Sequence, residues 1–306
     1  MTEPAGAPFG VVVNPSSAIG RGARVARRVL AACAAEGVPA VELSGSDADR
    51  CREAVRAGCA RGLRGLVLVG GDGLIGLVIQ LAEARALPIG IVPAGSGNDF
   101  ARQFGLSGRP RRAVRRILSA AASPQRVDLG IVALPAEGDP KRSREHWFAG
   151  GCSIGFDAAI NRRANAIRLP LGPLRYHLAL LAELATLRSR PFTLTTGGGE
   201  RRFTGLLATA MNTRAIGGGI PLAPRARVDD GVLDLVEVTH GSRLRVLSVL
   251  GLLARGRHEP LPEVTITRVD RVRIEAGDEV AYADGERVRR GPFEIRPVRG
   301  ALTLLA

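Results

Sequence analysis

The stretch Leu66-Val67-Leu68-Val69-Gly70-Gly71-Asp72-Gly73-Leu74-Ile75-Gly76 constrains this chain more than any other. Four consecutive apolar residues predict a strand buried on both faces, as in parallel sheets. A glycine turn carrying one carboxylate follows at once. Leu74, Leu77, Val78 and Leu81 then recur at helical spacing, so a helix starts there. A strand, a glycine turn and a helix start in this order favour an anion, because amide N–H groups point outward and the helix dipole is positive at that end.

The flanking chain repeats the alternation. Phe9 to Val13 predicts a short buried strand that stops at Asn14-Pro15-Ser16-Ser17, since proline cannot continue a ladder. A helix follows from about Gly22 to Glu36, with Gly37 as its C-cap. Val38 to Leu43 reads as a strand, and Ser46 or Asp47 caps a helix running through about Gly58. Leu87 to Val92 is a further strand, entering a second glycine turn, Pro93-Ala94-Gly95-Ser96-Gly97-Asn98-Asp99. A helix over Arg111 to Ala121 buries Val114, Ile117 and Leu118 and carries arginines on its other face. Such alternation predicts a parallel sheet with right-handed crossovers, and ligands bind such sheets beyond the carboxyl ends of the strands. Asn14, Asp72, Ser96 and Asp99 all fall at those ends.

Near Val127-Asp128 the pattern changes. From Trp147 onward most segments are short and strand-like, broken by Gly197-Gly-Gly199, Gly217-Gly-Gly219 and Asp229-Asp230-Gly231. Two helices stand out, one over Pro173 to Leu187 marked by Leu174, Leu178, Leu181 and Ala185, the other over Arg243 to Leu253. The expected organisation is an α/β domain over residues 1–128 and a β-rich domain with helical insertions over 129–306. The last strands are free to pack back on the first domain.

At 306 residues the chain can build two cores, and 45% hydrophobic content describes an ordinary globular protein. No apolar run approaches the roughly 18 residues that span a bilayer. The N-terminus lacks the basic start and apolar core of a secretion signal, so a cytoplasmic location is expected. Cys33, Cys51, Cys59 and Cys152 show no metal-ligand spacing and read as small apolar fillers. The net charge of +14 is almost entirely arginine, because Lys141 is the single lysine. That excludes a Walker-type phosphate loop and the strand lysine of protein kinases. The arginine excess reflects either genomic base composition or attraction to a polyanion. With few aromatic residues for base stacking, an anionic membrane face is favoured over nucleic acid.

Three uses of the opening turn are open. Gly71-Asp72-Gly73-Leu74-Ile75-Gly76 fits the dinucleotide fingerprint, but the next strand ends Ile91-Val92-Pro93 instead of in the acidic residue a ribose needs. The glycines alone could serve tight turning, which leaves Asp72 and the second turn unexplained. The third use is nucleotide phosphoryl transfer. Gly70-Gly71-Asp72-Gly73 followed by Pro93-Ala94-Gly95-Ser96-Gly97-Asn98-Asp99-Phe100-Ala101 resembles the bacterial diacylglycerol kinase and lipid kinase family, whose catalytic region is shared with sphingosine and ceramide kinases. The resemblance begins at Asn14-Pro15-Ser16-Ser17 and continues through Gly155-Phe156-Asp157-Ala158, Tyr176, Asn212, Gly217-Gly218-Gly219 and Ala223-Pro224. It ends with Asp229-Asp230-Gly231, Leu233-Asp234 and Asp284-Gly285-Glu286. It covers nearly the whole chain.

The resemblance implies a Rossmann-like nucleotide-binding α/β domain, a β-sandwich C-terminal domain and a site in the cleft between them. It implies ATP, with phosphates held by Gly70, Gly71, Asp72, Gly73, Leu74, Ile75, Gly76 and Ser96, and with Asn14, Ser44, Asn98 and Asp99 on the same edge. Backbone amides and arginines would stand in for the missing lysine. Magnesium is expected near Asp72 and Asp99, since it prefers hard oxygen ligands. Glu286 matches the family's catalytic base for a lipid hydroxyl, while Asp284-Gly285 also suits a hairpin turn. Asp230, with backbone carbonyls of Arg227 and Val232, matches a second, structural magnesium loop, and a solvated Asp-Gly turn stands equally beside that reading.

Three positions depart from the family pattern: Leu74 and Leu77 stand where threonine and glutamate are usual, and Ala18 replaces a glycine. The expected activity is ATP-dependent phosphorylation of a lipid hydroxyl, diacylglycerol first, at an anionic membrane surface. A lipid-binding homologue with little activity, an NAD kinase-like enzyme and a homodimer stay open.

Overall fold

The structure, a computed structural model, describes residues 6–13, 21–136, 139–167, 174–239 and 243–306. The predicted positions Asn14, Pro15, Ser16, Ser17 and Ala18 lie outside the described residues. The chain forms two compact units, residues 1–128 with 300–306, and residues 129–299.

The first unit runs β1 (Phe9–Val13), α1 (Arg21–Ala35), β2 (Ala40–Leu43), α2 (Ala48–Ala60), β3 (Gly65–Gly70), α3 (Asp72–Ile79), α4 (Ala82–Arg85), β4 (Ile89–Pro93), α5 (Asp99–Gln103) and α6 (Pro110–Ala120). Its strands are parallel, in the order β2-β1-β3-β4. Every residue of β1 and β3 is buried, which explains their unbroken apolar runs. Phe9, Val11, Val67, Val69 and Val92 pack with Ala26, Val29 and Cys33 of α1 and with Val114 and Ile117 of α6. A Cβ on Gly90 would meet Ile117 at 2.5 Å, so this glycine sets how closely α6 approaches the sheet. The carboxylate of Asp47 accepts the Arg50 N–H at 2.9 Å, confirming it as the cap of α2. The predicted helix after the opening turn ends at Ile79, and Leu81 caps the separate α4.

The second unit opens with β5 (Gln125–Ala136), whose start lies in the first unit, and β6 (Asp139–Phe148). There follow β7 (Gly151–Gly155), α7 (Phe156–Ala166), α8 (Leu174–Ala185), β8 (Arg190–Thr196), β9 (Gly199–Met211), β10 (Leu233–Thr239) and α9 (Arg243–Leu253). The chain ends with β11 (Val264–Val269), β12 (Val272–Glu275), β13 (Val280–Ala283), β14 (Glu286–Arg290) and β15 (Phe293–Leu305). This sheet is antiparallel, β14-β13-β7-β9-β8-β12-β15, with β10 pairing both β9 and β11. Phe148, Ile154, Phe192, Leu235, Val272 and Ile295 lie in its core. The end of β15 belongs to the first unit, where Leu304 and Leu305 pair in parallel with Ile89 and Gly90. There the buried Asp128 accepts the Gly300 N–H at 2.6 Å. An α/β unit with a parallel sheet and a β-rich unit with helical insertions are the architecture the alternation of elements predicted.

Two elements differ from expectation. The first is α7, where only strands were expected. Gly155, at φ 105°, ends β7 in a conformation that favours glycine, and the alanine-rich Phe156–Ala166 then winds as helix. The second is α8, which buries Ala179, Glu183 and Leu184 while Leu178 and Leu181 are exposed. Its apolar face is therefore not the predicted one: Leu184, with Leu180 and Leu187, packs in a cluster with Phe156 and Ile160 of α7, and Glu183 beside them pairs with Arg163.

Candidate functional site

In the first unit the carboxyl ends of β3 and β4 carry the two glycine turns, Gly70 opposite Pro93 in register. The turns touch through their backbones. A Cβ on Gly95 would lie 2.6 Å from the Gly71 Cα, and one on Gly71 would lie 3.0 Å from the Gly95 Cα. Neither position admits a side chain. The Ala94 N–H donates to the Gly70 carbonyl at 2.9 Å. Asp72 completes the lock: its two oxygens accept the N–H groups of Asp99 at 3.0 Å and Phe100 at 3.1 Å.

Asn98 has a structural task within this arrangement. It adopts a left-handed conformation, φ 56°, and its side-chain amide both accepts from the Gly95 N–H at 2.9 Å and donates to the Gly95 carbonyl at 2.7 Å. The side chain expected to meet a nucleotide therefore shapes the second turn. Ser96 is exposed at the tip of that turn.

The expected cradle narrows. The amides of Leu74 and Ile75 donate to the Gly71 carbonyl at 3.0 and 3.3 Å. Leu74, Ile75 and Gly76 are buried in the body of α3, and the Leu74 side chain packs against Gly70. The amides of Asp72 and Gly73 precede the first helical bonds and form the open, positive end of α3. Gly73 is exposed, with open space where a Cβ would project. Ser44 is exposed after β2, its hydroxyl donating to Glu42 at 2.8 Å.

The second unit holds Glu286 on a two-residue hairpin. Asp284 and Gly285 have φ of 49° and 83°, and Ala283 pairs with Glu286, the arrangement of a type I′ turn. Asp284 anchors the hairpin by accepting the N–H groups of Ala149 at 2.6 Å, Gly150 at 2.8 Å and Gly151 at 3.1 Å. From the other side the Asn212 side chain donates to the Ala149 carbonyl at 2.8 Å. Asn165 of α7 donates to the Gly285 carbonyl at 3.1 Å. Glu286 itself is exposed at the start of the edge strand, and its carboxylate has no ion-pair partner among the described residues.

Close by in the fold, Asp157 begins α7 and accepts from the Thr209 hydroxyl and from the Ala158 N–H. Burial pushes its carboxyl above the usual carboxylate range, only partly offset by the hydrogen bond from Thr209. Burial also raises all four cysteine thiols, consistent with inert fillers.

At the expected second metal loop, Asp230 is ion-paired with Arg268 and accepts the Val232 N–H at 3.3 Å. Arg227 pairs with Asp229. Among the described residues no group of three or more His, Cys, Asp or Glu side chains could hold a metal. Arg268 comes from β11, opposite Asp234 of β10, so no sequence signal places it there.

Comparison with known proteins agrees with both halves. Residues 8–132 match the family described as the diacylglycerol kinase catalytic domain, and residues 150–306 match the YegS C-terminal NAD kinase beta sandwich-like domain. The chain is 36% identical to the diacylglycerol kinase of Mycobacterium tuberculosis (strain ATCC 25618 / H37Rv) over 96% of its own length and 93% of that protein. It is 33% identical to the "Probable lipid kinase YegS-like" protein of Chromohalobacter salexigens, over 87% of this chain and 82% of that one. A crystal structure of a diacylglycerol kinase from Bacillus anthracis str. Sterne shares the fold with a TM-score of 0.68 at 18% identity, over 97% of this chain and 96% of that chain.

Asp72→Ala should cost about 1–3 kcal/mol of stability, because it strips the acceptors from two turn amides. Urea denaturation measures this, and an unmoved midpoint would show that water replaces the carboxylate. Asp157→Asn tests the buried carboxyl. Between the unfolded-state value of about 3.9 and the raised folded value, only the unfolded chain releases this proton. Wild-type stability should therefore fall as pH rises through that window. The variant should lack that component, and parallel stability-against-pH curves would refute it.

Proposed function

We propose that this chain, which belongs to the diacylglycerol kinase and lipid kinase family, transfers the terminal phosphate of ATP to the hydroxyl of diacylglycerol at a membrane surface. The observation carrying the nucleotide half is the locked pair of glycine turns. It aims the Asp72 and Gly73 amides, and the exposed Ser96, beyond the carboxyl edge of a parallel sheet. These groups would take the phosphates without a lysine, and phosphoryl transfer depends mainly on positioning and charge neutralisation.

Magnesium accompanying the nucleotide fits the hard oxygens of Asp72 and Asp99, and when bound it would neutralise phosphate charge. Each Asp72 oxygen retains a lone pair beyond the one its amide partner uses. The Asp230 loop enters no step of this reading.

In the transfer, the acceptor oxygen forms a bond to the terminal phosphorus as the bond to the bridging oxygen breaks and ADP departs. The hydroxyl proton passes to a carboxylate, and Glu286 is the candidate base. The hairpin anchored by Asp284, and the absence of an ion-pair partner for Glu286 among the described residues, support that role. Leu74, in place of a threonine, fills space beneath Gly70 and so removes a hydroxyl without disturbing the turn. That no helix among the described residues is long and apolar enough to cross a membrane is compatible with an enzyme that visits its substrate from the aqueous side.

The test is incubation of purified protein with labelled ATP and magnesium against separate panels of diacylglycerols, sphingoid bases, phosphatidylglycerol and NAD. Label in the diacylglycerol extract is the expected result. Transfer to NAD alone would overturn the reading, and no transfer at all would leave a lipid-binding protein. Glu286→Gln should retain wild-type stability and nucleotide affinity while kcat drops by about 100-fold or more. An unchanged kcat would remove Glu286 from the mechanism.

A further inference from the structure

One groove of about 700 Å³ lies on the first unit between α1 and α6, ringed by Arg28, Arg109, Arg111, Arg112 and Arg115. Ala31, Ala32 and Pro110 also line it, which gives it an apolar floor. All five arginines are exposed. Because α6 buries Ala113, Val114 and Ile117, its arginines necessarily face away from the sheet. Arg115 pairs with Glu36 at 2.7 Å; the other four have no carboxylate partner among the described residues.

This clustering differs from the arginines elsewhere. In the second unit arginine after arginine meets an acid: Arg163 with Glu183, Arg245 with Glu263, Arg268 with Asp230. Exposed arginines without a carboxylate partner among the described residues occur elsewhere too, Arg56, Arg61 and Arg257 among them, but here five arginines converge on one groove. Nor does the cluster serve folding. Arg109, Arg111 and Arg112 sit at the start of α6, where the helix dipole is already positive and no acidic residue answers them. An anion in the groove would relieve both the mutual repulsion and the clash with the dipole.

Guanidinium forks match phosphate oxygens bidentately, so a phosphate suits this groove. No aromatic side chain lines the groove, so it offers no stacking platform for single-stranded nucleic acid. Its apolar floor instead suits the glycerol and upper acyl region beneath a headgroup. We infer that the α1–α6 groove docks this protein onto an anionic phospholipid bilayer, its arginines taking the phosphodiester headgroups. The inference rests on the lipid kinase reading for its purpose, though not for its geometry.

The test compares wild type with R28A/R111A/R112A, and with R56A/R61A/R257A, which removes the same charge from exposed arginines elsewhere. Each is sedimented with vesicles of phosphatidylcholine alone and of phosphatidylcholine mixed with phosphatidylglycerol. An arginine near an anionic leaflet contributes roughly fivefold to partitioning, so the groove variant should lose on the order of 100-fold. The control should lose less than about tenfold, by long-range charge alone. Thermal melts of all three should coincide. Turnover of a short-chain, water-soluble diacylglycerol should be unchanged in both variants, while turnover on phosphatidylglycerol-containing vesicles falls in the groove variant only. Equal losses in the two variants, or full binding by the groove variant, would overturn the docking site. So would groove-dependent binding of labelled RNA with vesicle binding intact. Groove-dependent vesicle binding with no turnover of any diacylglycerol would support the docking site while sinking the kinase reading.

Discussion

Asp72 gives each of its carboxylate oxygens to a backbone amide of the second glycine turn, and the geometry of the nucleotide edge depends on those two bonds. They hold Gly71 and Gly95 in backbone contact, a spacing no side chain would permit. The second unit uses the same device. Asp284 gathers three amides of the Ala149-Gly150-Gly151 turn and thereby fixes the hairpin bearing Glu286. In both motifs the aspartate is the anchor and its neighbours face outward: Gly73 and Ser96 in one, Glu286 in the other. An ionised carboxylate suits this task, because its hydrogen bonds to N–H groups are stronger than those of a neutral acceptor.

The same economy explains how the chain departs from its family without losing the turn. Leu74 is buried against Gly70, so the usual hydroxyl is exchanged for packing at the root of α3. At the Asp230 loop, Arg268 forms an ion pair with the carboxylate. Arginine thus has two roles in this protein. Many arginines of the second unit close ion pairs, and four of the five around the α1–α6 groove have no carboxylate partner among the described residues.

Much of the site was legible because glycine and aspartate report backbone requirements locally. A strand running into Gly-Gly-Asp-Gly has few ways to turn, and Asp284-Gly285 between apolar alternations reads as a hairpin without any tertiary information. Other parts were not legible. Leu74, Ile75 and Gly76 look like part of a phosphate loop, yet helix α3 starts at Asp72 and draws them inside. The side-chain amide of Asn98 looks like a ligand group, yet it closes on Gly95. Helix α7 follows a glycine whose positive φ cannot be read from composition. The leucine stripe of α8 predicts the wrong face, because Leu180, Leu184 and Leu187 are the residues that meet Phe156 and Ile160 of α7.

What the sequence determined by itself is the strand–helix alternation of the first unit, the change from parallel α/β to antiparallel β, and the two glycine turns. Each follows from short-range periodicity and from the φ that glycine alone adopts freely. What only the tertiary structure decided is the use of each polar side chain. Asp72 and Asp284 became clamps, Asp230 became the partner of Arg268, and the arginines of α1 and α6 came to share one groove. Those outcomes depend on which strands pair and which helices meet, and such long-range contacts leave no local pattern in the chain.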